Sequence, residues 1–257
     1  ADDLLCTTLL ATRAPVVVCP AMNVRMFAHP QVQANLAHLR GFLGYRVAGP
    51  AEGLLAVGEG EGPGRMLEPW QILEHVGRAL ERDDVLAGRT VLVTAGPTRE
   101  PVDPVRFLGN RSSGRMGYAL AQAAWRRGAR VMLVSGPGAL PFPEGVDVIP
   151  VETAAEMLEA VAGLIPSADV SIFAAAVADF RPEAAFDKKV KSGELDGALT
   201  LRLAANPDIA AETRGLRKAG SVAATTFSAT AQACEKAALA TDAAALAHHA
   251  DQLADLF

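Results

Sequence analysis

Apolar residues along the chain change their period near residue 88, and the change divides the sequence in two. Ahead of it, Ala14-Pro-Val-Val-Val-Cys19 reads as a short strand of the buried type, which Pro20 ends because it has no N–H to give to a ladder. His29 to Arg40 predicts a helix with Val32, Leu36 and Leu39 on one face. Glycines at 53, 58, 60, 62 and 64 predict a loop over residues 50 to 65, and Pro69 to Leu80 returns to helix. The stretch Glu81-Arg82-Asp83-Asp84, followed by Gly88, is short, charged and polar. It reads as a linker over residues 81 to 88, between a segment 1–80 and a segment 89–257.

After the linker, strands and helices alternate. Thr90–Thr94, Arg130–Val134 and Val170–Ala178 are continuous apolar runs, and they are separated by amphipathic stretches at Gly114–Arg127 and Ala154–Leu164. Such runs predict an α/β fold, a mostly parallel sheet covered by helices on both faces. Ligands then bind beyond the carboxyl ends of the strands, in the loops after Thr94, Val134 and Ala178. From Asp187 the pattern loosens. A lysine-rich turn (Lys188, Lys189, Lys191) precedes an expected strand at Ala198–Leu203 with one wet face, and Asn206-Pro207-Asp208 then caps a helix running to Lys218. Ser221–Phe227 is a further expected strand. Beyond it an Ala-rich helix carries Leu239, Leu246 and Leu253 seven apart, a stripe suited to core packing or to a partner helix.

Composition narrows the function classes. The chain has 257 residues, half of them apolar and 21% charged, with a net charge of −5. This excludes a disordered chain and a nucleic-acid binder that relies on bulk positive charge, and an aromatic content of 5% leaves little for stacking single-stranded bases. The longest apolar run, Ile172–Ala178, stops well short of the roughly 18 residues of a membrane helix, and Val16–Val18 is shorter still. Cys6, Cys19 and Cys234 are widely spaced, giving neither a disulfide framework nor a CxxC pair, which fits a reducing cytoplasm and argues against structural zinc. The opening Ala-Asp-Asp-Leu-Leu has no initiator Met and no signal-type core, so the sequence reads as entered partway through a domain.

Candidate chemistry is densest in Thr94-Ala-Gly-Pro-Thr-Arg-Glu100, Asp103-Pro-Val-Arg106 and Asn110-Arg-Ser-Ser-Gly-Arg-Met-Gly117. Gly96 stands where the first strand ends, so its backbone can approach a ligand closely. Ser112, Ser113 and Gly114 precede a helix whose free N–H groups make an anion site, and Arg111 and Arg115 flank it. Asn110 offers a neutral amide that can orient a carboxylate or stabilise an oxyanion. The plainer reading is that Ser-Ser-Gly is an N-cap and the arginines are solvated. Neither GxGxxG nor GxxxxGK[ST] is present, so a phosphate site here uses another loop. At the third strand's end, Ala174-Ala-Ala-Val-Ala-Asp179-Phe-Arg181 pairs small residues, which admit a flat ligand, with an acceptor in Asp179. The alternatives for Asp179 are a helix cap or a partner for Arg181. The lysines around Lys189 can fold over a phosphate, or lie solvated.

Residues 89 to about 210 resemble the phosphopantothenate–cysteine ligase half of the bifunctional coenzyme A biosynthesis proteins. The resemblance lies in TAGPTREPVDPVRFLGNRSSGRMG, LVSGP, AAAVADFRP, KKVK and NPDIA, in the family's order and close to its spacing. Residues 1 to about 80 resemble the C-terminal part of the flavin-dependent phosphopantothenoylcysteine decarboxylase half, through ADDLL, PAMNVRMFAHPQVQANL and GPGRMLEP. The resemblance implies a Rossmann-like sheet preceded by part of a flavoprotein-type α/β domain. It also implies activation of 4′-phosphopantothenate by CTP and Mg²⁺ to an acyl-cytidylate, which the amine of cysteine then opens. By the same resemblance Asn110 handles the acyl-cytidylate and Lys189 assists its formation. Ala175 and Asp179 read the cytidine, Gly96 and Ser112–Gly114 cradle phosphates, and Phe227 walls the base. In the decarboxylase-like segment Asn23 and Met26 match the substrate-holding motif, and FMN is the implied cofactor. The family resemblance further implies a homo-oligomer with small-molecule substrates.

Two departures stand out. Around Phe227 the sequence is Thr226-Phe-Ser-Ala-Thr, without the family's glutamate, and an Ala-rich helix follows in place of its later strands. Where the family places a reducing cysteine before glycine, this chain has Ala56-Val57-Gly58, and valine has no proton to give to an enethiolate. His29 and His75 sit at helical positions of structural type. The expected outcome is a decarboxylase-like region without activity in this chain.

Overall fold

The structure is a computed structural model that describes residues 3–56, 58, 60–81, 86–191 and 198–225. It divides into two compact units, residues 1–85 and 86–257.

In the first unit, α1 (Leu4–Ala11) is capped by Asp3, whose carboxylate accepts from the Cys6 N–H. A small βαβ arrangement follows: β1 (Val17–Val18), α2 (Val24–Ala28), α3 (Pro30–Gly41) and β2 (Arg46–Val47), with β1 and β2 parallel. The expected strand over 14–19 shrinks to two residues because its parallel partner is only two residues long. Leu36, Ala48 and Leu67 form the buried apolar positions of this unit. α4 (Pro69–Leu80) starts on a capping box between Glu68 and Gln71. The expected loop over 50–65 is instead a hairpin, β3 (Ala51–Leu54) paired antiparallel with β4 (Glu61–Arg65). Its glycines are there for conformation and closeness. At Gly64, φ is +156° and an added Cβ would lie 2.1 Å from the Met22 carbonyl oxygen, so only glycine lets the strand run against the 20–23 loop.

The second unit is built on five parallel strands. β5 (Thr90–Ala95), β8 (Arg130–Ser135), β9 (Asp147–Pro150), β10 (Val170–Phe173) and β13 (Val222–Thr225) stand in the order β13-β10-β5-β8-β9. Alternate residues of these apolar strands point to opposite faces. Val91, Val93, Ala95, Val131 and Leu133 pack under α5 (Arg115–Arg126) with Ala121, Ala124 and Trp125. Leu92, Met132 and Val134 pack on the other face with Met157, Val161 and Ile165 of α6 (Ala154–Leu164) and its 3₁₀ extension, and with Ile209. Glu100, fully buried, anchors the start of α6 by accepting from the Ala154 N–H at 2.9 Å. At the amino end of the sheet, Asp169 accepts from the Thr90 N–H at 2.8 Å and from Lys218 Nζ at 2.5 Å; the lysine hydrogen bond chiefly holds its carboxyl below the ordinary range.

Several expected boundaries move. The third apolar run stops at Phe173 instead of Ala178, because Thr94 Oγ1 takes the N–H groups of both Ala174 and Ala175 and Thr98 Oγ1 takes that of Ala178. The strand expected at Ala198–Leu203 is β12 (Leu203–Ala205), displaced by the antiparallel pairing of Leu203 to Ala205 with β11 (Phe180–Pro182). The helix to Lys218 is one turn, α7 (Ile209–Glu212), then a 3₁₀ turn at Arg214–Leu216, since Thr213 bonds back to the Ile209 carbonyl and Gly215 follows. The pattern also hid a hairpin, β6 (Arg99–Asp103) with β7 (Arg106–Gly109), in which Pro101 sits on an edge ladder. Val57, Phe227, Cys234 and the Ala-rich leucine stripe lie outside the described residues.

Candidate functional site

The sheet runs outward to β8 and β9 on one side of β5, then returns across to β10 on the other. The boundary between β5 and β10 is therefore a topological switch point, where an open parallel sheet leaves a crevice at its carboxyl end. The two loops that frame it are laced together. The Ala174 N–H donates to the Thr94 carbonyl at 3.1 Å and the Ala176 N–H to the Gly96 carbonyl at 2.8 Å, while Pro97 and Ala176 form an isolated parallel bridge. With the three threonine hydroxyl contacts above, the loop after β10 becomes an extension of the loop after β5. Ala175 is half-buried here, with its N–H given to Thr94.

Three glycine backbones cross at the same point. Gly96 (φ +78°) is buried, and an added Cβ would lie 2.9 Å from the Gly136 carbonyl oxygen. A Cβ on Gly114 (φ +73°) would lie 3.2 Å from the Gly96 Cα. Gly96 therefore brings the end of β8 and the start of α5 against the end of β5, a packing role beside the ligand approach expected of it. Gly114 is the N-cap of α5 in the left-handed conformation, and no side chain caps that helix. The Ser112 hydroxyl accepts from the Gly114 N–H at 3.2 Å, closing the turn and leaving the first amides of α5 to an incoming anion. Ser113, Arg111 and Arg115 are exposed around it.

Asn110 ends the β6–β7 hairpin and is exposed. Its amide donates to the Val177 carbonyl at 2.8 Å, tying it to the loop after β10 and leaving Oδ1 and one N–H to a ligand. Asp179 is exposed, and its carbonyl accepts from the Asn206 N–H at 2.8 Å. Arg181 does not pair with it: that guanidinium goes to the Ala205 carbonyl at 2.7 Å and to Asn206 Oδ1 at 3.0 Å. Asn206 also donates to the Ala178 carbonyl at 2.8 Å, so Asn206-Pro-Asp divides its work. Asp208 caps α7 by accepting from the Ala211 N–H, and Asn206 pins the residues leading to Asp179.

Lys189 is exposed and lies at the far end of the hairpin from Asn110. Its neighbour Val190 donates to Asp103 Oδ2 at 3.2 Å and accepts from Arg106 at 2.6 Å. Arg106 and Asp103 face each other at the hairpin tip, with Asn110 one residue past its base. Four residue steps of extended strand separate Arg106 from Asn110, about 13 Å. Asp103 and Arg106 stood in the cluster of interest without an assigned role. The signal for them was Asp-Pro-x-Arg, in which aspartate accepts backbone N–H groups two and three residues on.

The Asp103 side chain is fully buried. The Arg106 guanidinium, followed by backbone donors, holds its carboxyl down to about 2 against the burial that would raise it. An unfolded aspartate titrates near 3.9, so this contact contributes fully above about pH 4 and is lost as pH falls toward 2. In acid unfolding, Asp103→Asn should flatten the stability loss between about pH 4 and pH 2 relative to the parent chain. Parallel acid limbs would contradict the assignment.

In the first unit, Asn23 is the N-cap of α2 and its Oδ1 accepts from the Arg25 N–H at 2.8 Å. Met26 is 58% exposed. A cavity in this unit, about 580 Å³ and lined in part by Val16, Arg40, Tyr45, Arg46 and Arg78, includes neither. His29 Nδ1 caps α3 and His75 is buried on α4, both structural positions. Among the described residues no helix is long and apolar enough to cross a membrane, and no group of three or more His, Cys, Asp or Glu side chains is placed to hold a metal ion.

Comparison with known proteins agrees with this architecture. Residues 1–81 match the flavoprotein family, and residues 86–247 match the DNA/pantothenate metabolism flavoprotein C-terminal domain. The coenzyme A biosynthesis bifunctional protein CoaBC of Bacillus subtilis is 49% identical over 215 residues, covering 82% of this chain and 52% of that protein. That of Mycobacterium tuberculosis H37Rv is 48% identical over 216 residues, covering 82% and 51%. The chain thus spans about half the length of the curated relatives it matches. A crystal structure of the C-terminal domain of a CoaBC protein shares 44% identity with a TM-score of 0.47, covering 55% of this chain and 64% of that one. With more than half of its length matched by one family, this chain belongs to the DNA/pantothenate metabolism flavoprotein C-terminal domain family.

Proposed function

We propose that the second unit performs the ligation step of coenzyme A biosynthesis, joining 4′-phosphopantothenate to cysteine with CTP. The observation that carries this reading is the laced crevice at the switch point, where Asn110, the uncapped start of α5 and Ala175 meet, with Asp179 two residues beyond the Asn110 contact at Val177. A carboxylate does not acylate an amine at a useful rate, so it is first converted to a mixed anhydride. A carboxylate oxygen of phosphopantothenate bonds to the α-phosphorus of CTP, and the bond to the β-phosphate oxygen breaks, releasing pyrophosphate. The cysteine nitrogen then bonds to the acyl carbon, CMP leaves with the electrons of the acyl–oxygen bond, and the amine gives up a proton to solvent.

The amide N–H that Asn110 keeps free stabilises the oxyanion of each step. Lys189 neutralises charge that develops at the α-phosphate. The first amides of α5, with Arg111 and Arg115, receive phosphate oxygens beside Ser112, Ser113 and Gly114. Gly96 shapes the phosphate turn, Ala175 leaves room for a flat base, and Asp179 accepts from its exocyclic amine. Phe227, assigned to wall the base, lies outside the described residues. Mg²⁺ carried on the nucleotide would supply charge neutralisation between the phosphates. Incubation with CTP, Mg²⁺, phosphopantothenate and cysteine should release pyrophosphate in step with CMP, and ATP in place of CTP should release far less. No release above background from folded protein rejects catalysis by this chain, and equal rates with ATP reject the base assignment.

A second reading concerns the first unit, because its match is to the flavoprotein family. There residues 1–81 complete the FMN site of a neighbouring copy in a homo-oligomer and serve the decarboxylation of phosphopantothenoylcysteine. The side-chain oxygen of Asn23 is engaged as a cap and Met26 is exposed, so this reading needs the residues of a neighbouring copy. Purified protein that absorbs in the flavin bands supports this reading. Colourless protein stabilised thermally by CTP supports the ligase alone.

A further inference from the structure

The lysine-rich segment is held at one point, and the hold is unusually complete. Val190 is gripped at both of its backbone polar groups: its N–H by Asp103 Oδ2 at 3.2 Å and its carbonyl by Arg106 at 2.6 Å. The two gripping side chains are bound to each other, through Arg106 Nε to Asp103 Oδ2 at 2.9 Å and a second contact from the same guanidinium. Asp103 Oδ1 is fixed in turn by the N–H groups of Val105 and Arg106, both at 2.9 Å. The carboxylate is fully buried while Lys188, Lys189 and Lys191 around it are exposed. A buried carboxylate that meets four N–H donors on its own hairpin already has its hydrogen bonds, so the fifth, from a segment 87 residues away in sequence, does more than satisfy it.

We infer that Asp103, with Arg106, is a positioning residue for Lys189: the pair clamps the Val190 peptide and so sets the point from which the lysine reaches its phosphate. This rests on the proposed role of Lys189 in forming the acyl-nucleotide. The clamp lies on a two-stranded hairpin whose other end carries Asn110, so one element fixes the base of the lysine segment relative to Asn110. Lys189 without the clamp keeps its charge and loses its place. A long flexible side chain on an unanchored segment samples many positions, and catalysis falls with the fraction that are productive.

The test is a double-mutant cycle on the full chain, read as single-turnover pyrophosphate release from CTP, Mg²⁺ and phosphopantothenate. Asp103→Asn and Lys189→Gln are each expected to slow release about 10- to 100-fold, and the double variant to be within about 2-fold of Lys189→Gln alone, because contacts acting through one group are not additive. The second half-reaction, cysteine with preformed acyl-cytidylate, should change less than about 3-fold in Asp103→Asn, which a general loss of structure would not spare. Multiplying effects in the double variant, or normal release by Asp103→Asn, overturns the inference and leaves the reading of Lys189 standing. Normal release by Lys189→Gln overturns that reading instead. Hydrogen exchange at the Val190 amide tests the clamp without turnover: protection should fall at least 10-fold in Asp103→Asn while the β5 amides stay protected, and unchanged protection refutes it. Should Asp103→Asn not fold, Arg106→Lys takes its place in both experiments, with the same outcomes deciding.

Discussion

Asn110→Asp is expected to lower single-turnover pyrophosphate release by about 10²- to 10³-fold, the loss typical for removing one preorganised oxyanion donor. Two effects act together. The asparagine amide donates to the Val177 carbonyl at 2.8 Å, and this bond places its remaining N–H and its oxygen over the crevice. A carboxylate has no N–H to give, so it faces the same carbonyl with two acceptors and swings away. It also brings a negative charge toward a carboxylate and a triphosphate, where the wild-type amide is neutral. The fold should survive, since Asn110 is exposed and lies past the hairpin's last pair. Thermal unfolding beside the kinetic trace separates the two kinds of damage. A rate within twofold of the parent would remove Asn110 from the chemistry.

The largest effect on stability is expected from Gly136→Ala. A Cβ there would lie 1.8 Å from the Pro97 carbonyl oxygen and 2.8 Å from the Pro97 carbonyl carbon. These are backbone atoms, which cannot rotate away as a side chain would. Relief requires residues 95–98 or the end of β8 to move, and the 95–98 turn is where Gly96 and Thr98 hold the loop after β10. The penalty therefore includes both overpacking and the loss of that lacing, about 3 kcal/mol or more. For a unit of this size that lowers Tm by about 10 °C. Gly138→Ala is the control two residues away, where an added Cβ meets nothing within 4 Å. Equal Tm shifts in the two variants would show that the crossing is not what makes Gly136 irreplaceable.

The site shows how packing and function share residues in this fold. Gly96, expected as a phosphate turn, is also the contact between two strand ends and a helix start. Thr94 and Thr98, which attract no notice in a strand-plus-loop reading, turn the third apolar run out of the sheet at Phe173 and shape the crevice wall. A run of apolar and small residues does not disclose where its N–H groups will go. That depends on hydroxyls 80 residues distant in sequence.

The sequence by itself pointed to the parallel α/β sheet of the second unit and to the starts of β5, β8, β10, β13, α5 and α6 to within a residue, but not to β9, and it offered Asn110, Ser112–Gly114, Ala175, Asp179 and Lys189 as candidates. Continuous apolar runs, period-3.6 patterns and helix-start residues are local, and local physics is readable from neighbours in the chain. Only the tertiary structure decided the β3–β4 hairpin where glycine density reads as a loop, the shortening of β10, the place of β12 and the single turn of α7. It also decided that Lys189 is anchored beside Asp103 and Arg106 at one end of a hairpin and Asn110 tied to Val177 at the other. Each of these depends on which distant group a backbone N–H or carbonyl meets. A buried backbone polar group is satisfied wherever the fold brings it a partner, and the identity of that partner is not written in the residues beside it.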